Sequence, residues 1–75
     1  DAQVEAEAAW ALVETSPGES RAEAAFVLAQ TLWPDPEHRE RARELLALAE
    51  RDLVDASPFA ARLQAAIKAW RRSHQ

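Results

Sequence analysis

Cysteine, tyrosine and methionine are absent from this 75-residue chain, and glycine occurs only once. Without cysteine the chain can form no disulfide, no zinc–thiolate site and no thiol nucleophile. A single glycine also excludes a glycine-rich phosphate loop. Valine, isoleucine and threonine are scarce, which disfavours a β-sheet. No apolar run approaches the ~20 residues that span a bilayer and no signal peptide is visible, so we expect a cytoplasmic protein.

What the chain does contain is alanine, 18 residues of it, together with leucine, glutamate and arginine. These are strong helix formers, and the composition predicts an all-α protein. The length corresponds to one small domain over residues 1–75, with a modest core. Because the chain begins at Asp1 rather than at methionine, we expect a fragment, a processed product or a trimmed piece of a larger protein.

Three capping residues, each followed by proline, mark helix starts: Ser16-Pro17, Asp35-Pro36 and Ser57-Pro58. Ser and Asp accept hydrogen bonds from the amides of a first turn, and proline at the first helical position loses no bond. Ser16 and Glu19 also have capping-box spacing, although Gly18 could delay this helix to about Ser20. We predict four helices, at about 2–15, 17–33, 36–54 and 58–73.

The predicted connections are short, namely Ser16, Pro34-Asp35 and Asp55-Ala56-Ser57, and turns this tight make consecutive helices antiparallel. The fold predicted is therefore two stacked helical hairpins, either an α-solenoid fragment or a small up-down bundle. Apolar stripes with helical spacing support it. In the third helix the stripe is Ala42, Leu45, Leu46, Ala49 and Leu53, and in the fourth it is Phe59, Leu63, Ala66, Ile67 and Trp70.

Parts of these helices resemble the tetratricopeptide repeat, a helix-turn-helix unit of ~34 residues. In one register the second helix is the first helix of the unit, with Leu28-Ala29 and Leu32 at the family positions. The third helix is then the second of the unit, with Ala42, Leu46 and Ala49. The family's closing proline, expected near Val54, is missing. In the other register Ala22, Phe26, Ala29 and Pro34 fit the trailing helix, but Trp10 stands where the family has glycine. We favour the first register. The sequence pattern of the helices also resembles that of tetratricopeptide-like tails of large bacterial regulators. The resemblance to the family implies protein–protein binding without catalysis.

Charge is divided unevenly along the chain, whose net charge is −4. Residues 1–38 hold eight acids and one base, whereas residues 39–75 hold five acids and eight bases. Acids early and bases late in helices stabilise the helix dipole, which is one interpretation. The other is an acidic face that meets a basic face, within the domain or between modules.

Catalytic and cofactor chemistry finds little support. His38 has Pro34 and Ala42 four residues away and His74 lies at the chain end, so no pair of metal ligands shares a helix face; we expect two solvated histidines, with His74 frayed. The carboxylates lie on polar faces, where nothing would raise a pKa for acid–base work. We therefore predict no enzyme, no cofactor and no metal.

The function predicted is a protein-interaction or scaffolding module. Trp33 and Trp70 continue apolar stripes and are assigned to the core, because Trp anchors interfaces but more often packs inside. The candidate partner contacts are Trp10, Leu48, Arg62, Lys68, Arg71 and Arg72. A self-associating bundle is the alternative, since Trp10 and Leu48 fall outside the main stripes. A nucleic-acid binder is the third hypothesis. Binding to a phosphate backbone needs several lysines or arginines on one face, and here only Arg62, Lys68, Arg71 and Arg72 could supply them.

Overall fold

The computed structural model of this chain describes residues 1–54 and 57–74. Within them lie four α-helices: α1 (Ala2–Val13), α2 (Glu19–Leu32), α3 (Arg39–Asp52) and α4 (Pro58–Ser73), with a 3₁₀ turn at Pro36–His38 before α3. The described residues contain no strand. The all-α prediction with antiparallel neighbouring helices is confirmed. Asp55 and Ala56 of the third predicted connection lie outside the described residues.

Two of the three predicted caps are present. The Asp35 carboxylate accepts a hydrogen bond from the Glu37 amide at 3.0 Å, and the Ser57 hydroxyl accepts one from the Ala60 amide at 3.0 Å. Asp1 also caps α1 by accepting from the Gln3 amide at 2.8 Å. These bonds satisfy amides that have no partner in a first helical turn.

The predicted cap at Ser16 is wrong. Helix α2 begins at Glu19, its N-cap position is Gly18, and no side chain caps it. Gly18 adopts φ +141°, a conformation that other residues rarely reach, and it separates Ser16 from the first helical turn. The Ser16 amide instead donates to the Val13 carbonyl at 2.9 Å, so it ends α1.

Helix α2 is the centre of the molecule because it contacts each of the other three helices. Its buried residues are Ala22, Ala25, Phe26, Leu28, Ala29 and Leu32. The predicted stripe of α3 is buried in full against this core. The stripe of α4 is buried only in part: Ile67 is fully enclosed, whereas Phe59 is 41% exposed and Ala66 is exposed. The outer half of that stripe lines an open groove, described below.

Contacts also join alternate helices. The Glu7 carboxylate of α1 meets the Arg41 guanidinium of α3 with two bonds of 2.8 Å, and the Phe26 ring of α2 meets the Trp70 ring of α4 edge-on at 6.4 Å. These contacts link α1 to α3 and α2 to α4. The Cα atoms extend over 33 × 28 × 17 Å, and the smallest extent suits two helices whose axes lie about 8–10 Å apart.

Arg21 connects the ends of three helices through an ion pair and a further hydrogen bond. Arg21 binds Asp52 through two hydrogen bonds of 2.6 and 2.8 Å, and it donates a third of 3.0 Å to the Glu14 carbonyl at the end of α1. Hydrogen bonding to Arg21 holds the pKa of the Asp52 carboxyl below its ordinary value of 3.8. The two-bond geometry restricts the orientation of the guanidinium relative to the carboxylate as well as their distance.

Candidate partner-binding surfaces

An alanine-lined groove of about 330 Å³ runs between α1 and α2. Three alanines, Ala6, Ala9 and Ala24, form part of its lining, because α1 and α2 present small residues to each other. Larger apolar side chains border it: Leu12 is 83% exposed and Val27 is 46% exposed. Exposed leucine and valine beside small residues leave apolar surface that a second helix could cover closely.

A second groove, of about 300 Å³, lies between α2 and α4 and is lined by Phe59, Arg62, Leu63, Ala66 and Glu23. Glu23 also lines the α1–α2 groove. The two grooves therefore meet along α2, with α1 on one side and α4 on the other. This places Arg62, a candidate contact from the sequence, at the edge of a mostly apolar face.

The candidates Trp10 and Leu48 come together, which their separate positions in the sequence did not predict. Both line a groove of about 280 Å³ between α1 and α3, together with Arg41, Leu45 and Arg51 among others. Both side chains are half-buried, and Trp10 packs against the core. Their role as partner contacts stays a prediction.

The four bases of α4 do not form one site. Arg62 lines the α2–α4 groove, whereas Arg71 lines a separate pocket and binds the Glu50 carboxylate at 2.7 Å. Lys68 and Arg72 are exposed. The basic C-terminal segment is therefore divided among different surfaces rather than gathered on one.

The separate pocket that Arg71 lines has aromatic walls, and the sequence analysis did not predict it. The Trp33 and Trp70 rings meet edge-on at 5.2 Å, and the His74 ring stacks on Trp70 at 4.1 Å with an interplanar angle of 12°. His74 Nδ1 lies 2.8 Å from the Trp70 carbonyl oxygen. The structure thus places the His74 ring against Trp70, and the prediction that this end of the chain frays stays a prediction.

Two guanidinium groups, those of Arg43 and Arg71, line this pocket, and that of Arg39 lies close to its Trp33 wall. The Cζ atoms of Arg39 and Arg43 lie 5.0 and 5.3 Å from the centroid of the Trp33 ring, within range of cation–π attraction. Arg39 Nε also donates to the Trp33 carbonyl at 3.0 Å. The Nε atom of Arg71, on the opposite side, is buried and has no hydrogen-bond partner among the described residues. The pocket, of about 240 Å³, is therefore rich in donors.

Spacing in the sequence carried a partial signal for this pocket. Trp70 and His74 are four residues apart, as are Arg39 and Arg43, and such pairs share a helix face. What the spacing could not show is that Trp33, at the end of α2, lies between the two pairs. That proximity depends on how α2, α3 and α4 pack.

Some of the opposite charges of the two halves of the sequence pair with each other inside the domain. Glu7, from the acidic half, pairs with Arg41, from the basic half, and hydrogen bonding to Arg41 lowers the pKa of the Glu7 carboxyl from its ordinary 4.5. In the Arg21–Asp52 pair the base comes from residues 1–38 and the acid from residues 39–75. An acidic face meeting a basic face thus describes one contact of the domain and not its whole organisation.

Chemical groups that could form a reactive centre are dispersed. In residues 1–54 and 57–74 no three His, Asp or Glu side chains are grouped so as to hold a metal ion. The two carboxyl groups with shifted pKa values, Glu7 and Asp52, are both shifted downward by arginine, whereas a general acid near neutral pH requires an upward shift. The Ser57 hydroxyl donates to the Glu19 carboxylate at 2.8 Å, which links the start of α4 to the start of α2.

Comparison with known proteins gave no match: no family model, curated protein or solved structure is similar to this chain. Among the described helices none is both long and apolar enough to cross a membrane.

Proposed function

We propose that this chain is a non-catalytic protein-interaction module of tetratricopeptide-like type, part of a larger bacterial protein, and that it acts as a scaffold in the cytoplasm. The observation that carries the proposal is the alanine-lined groove between α1 and α2. Its occupant is an amphipathic helix of a partner protein or of a neighbouring repeat. Such a helix would place its apolar side chains against Leu12 and Val27 and approach the alanines closely.

The packing order of the helices supports this assignment. Each helix contacts the next along the chain or the next but one, which is also the contact order of α-solenoids built from stacked helical pairs. The α2–α3 pair is the unit of the favoured register, with Ala29 and Ala42 both fully buried. A repeat of this kind buries its apolar faces only when neighbours stack on it, and α1 is the helix whose apolar residues are least covered.

Self-association is the second candidate. Val4 and Leu12, both on α1, are 65% and 83% exposed, so α1 could pair with α1 of a second copy. Light scattering over a wide concentration range separates the two functions: a concentration-dependent dimer favours self-association, whereas a monomer at every concentration excludes it.

A matched pair of variants tests the partner groove. Leu12→Glu places a charge at the groove, and Val4→Glu places the same charge on the same helix outside it. Peptide fragments encoded by the source genome are displayed and selected on the immobilised chain, then measured against both variants. We expect selected helical fragments to bind wild type and Val4→Glu equally and Leu12→Glu at least about tenfold more weakly, since the added carboxylate would be buried without a partner. Fragments that bind both variants alike would overturn the proposal.

A further inference from the structure

The pocket between Trp33, Trp70 and His74 concentrates positive charge in a chain whose net charge is −4. Within the described residues, neither Arg39 nor Arg43 forms an ion pair with a carboxylate, although three other arginines do. Both guanidiniums lie within 5.3 Å of the Trp33 ring centroid, and an anion near them would be attracted by both charges.

The donors at this pocket are incompletely used. Arg43 makes no hydrogen bond to a described residue, whereas Arg71 binds the Glu50 carboxylate through Nη2. A guanidinium over an aromatic ring keeps the N–H groups at its edge free for an acceptor.

The size and walls of the pocket limit what can enter. Its volume of about 240 Å³ is below the ~300 Å³ at which pockets for small-molecule ligands begin, so it suits one side chain of a partner. The walls contributed by Leu46, Trp33 and Trp70 are apolar and would contact a short aliphatic stem. A carboxylate on such a stem matches both the walls and the donors.

From this geometry we propose that the pocket binds the aspartate or glutamate side chain of an acidic peptide segment in the partner protein. Its carboxylate would lie beside the guanidiniums of Arg43 and Arg71, with that of Arg39 close to the Trp33 wall, and its stem against the tryptophan rings. The proposal deepens the proposed function, on which it rests, because it adds a charge requirement to a partner whose helix occupies the α1–α2 groove.

The three tryptophans allow a direct test, since Trp33 and Trp70 line the pocket and Trp10 lines the α1–α3 groove. The probe is an acetylated, amidated tetrapeptide with two central glutamates flanked by leucines, titrated into ¹⁵N-labelled protein while the indole N–H signals are recorded. We expect saturable shifts for Trp33 and Trp70 and none for Trp10. The same peptide with glutamines should bind at least about tenfold more weakly, because it loses the charge-assisted hydrogen bonds.

Two arginine variants provide the matched control. Arg43→Gln should weaken binding of the glutamate peptide several-fold, whereas Arg51→Gln, an exposed arginine of the same helix that lies in the α1–α3 groove, should leave it unchanged. Equal binding of the glutamate and glutamine peptides, equal effects of the two variants, or a shift of Trp10 alone would overturn the inference.

Other outcomes separate this inference from the proposed function and from another ligand. A third peptide carries phosphoserine in place of glutamate; binding of this peptide alone would overturn the carboxylate assignment in favour of phosphate. If the acidic peptide fails while helical fragments still distinguish Leu12→Glu from Val4→Glu, only the pocket inference falls. If the acidic peptide binds and those fragments do not distinguish the variants, the proposed function of the α1–α2 groove is wrong and the pocket inference stands.

Discussion

Helix α2 is packed very differently on the sides that face α3 and α1. Towards α3 its neighbours include Leu46 and Ala49, which are 2% and 0% exposed, and the Arg21–Asp52 pair closes the interface. Towards α1, Ala6 is the one residue of α1 that is buried, and Leu12 stays 83% exposed. The α2–α3 interface therefore stabilises the domain, while the α1–α2 interface leaves apolar surface exposed, which the proposed function assigns to a partner.

The largest contrast should appear when leucine is shortened on either side. Leu46→Ala removes a side chain enclosed between α3 and its neighbours, and we expect it to lower the free energy of unfolding by about 3 kcal/mol. Leu12→Ala removes a side chain that is mainly in water, so its effect should stay below about 0.5 kcal/mol. Urea denaturation followed by circular dichroism measures both. Similar losses for the two variants would show that α1 and α3 are packed alike.

Acid should weaken the ion pairs of α3. The pKa values of Asp52 and Glu7 are lowered in the folded chain by hydrogen bonds from Arg21 and Arg41. Their stabilisation is thus fully present above the unfolded values of 3.8 and 4.5 and is lost as the pH falls through the lower folded values. We expect the free energy of unfolding to decrease between about pH 5 and pH 2.

A variant pair assigns that loss to its residue. Asp52→Asn should reduce the dependence of stability on pH in this range, whereas Glu23→Gln, an exposed carboxylate without an ion pair in the described chain, should leave it near that of wild type. Denaturation curves at several pH values give the slopes. Unchanged slope in Asp52→Asn would contradict the role given to the Arg21–Asp52 pair.

The smallest effect concerns the two serines that resemble each other in sequence. Ser57 caps α4 and donates to Glu19, so Ser57→Ala should cost about 1 kcal/mol. Ser16 caps no helix, and Ser16→Ala should change stability by less than about 0.5 kcal/mol. Thermal unfolding of the two variants under one set of conditions makes the comparison. A larger loss for Ser16→Ala would place the start of α2 earlier than Glu19.

The sequence predicted the regular parts of this fold well. In α3 the spacing of Ala42, Leu45, Leu46 and Ala49 follows one helix face, and all four are buried, because a periodic stripe has only one way to face a core. The predicted start of α2 at residue 17 was wrong, whereas the alternative start near Ser20, expected from Gly18, lies one residue from the observed start at Glu19.

The binding surfaces were harder to predict because they depend on more than one helix. Trp33 and Trp70 were correctly assigned to packing, since both lie partly buried against the core. Their second role as walls of an arginine-bordered pocket arises only when the end of α2 meets α3 and α4. In the same way, the groove beside Leu12 depends on which residues of α2 lie opposite it, and no spacing within α1 contains that information.

The most direct test of the central claim is hydrogen exchange of the chain with and without a selected helical fragment bound. The account predicts slower exchange, on binding, in α1 and in the part of α2 near Glu23 and Val27, while α3 amides, already enclosed, change little. Protection confined to α3 and α4, or no protection at α1, would show that a partner docks elsewhere and would contradict the account.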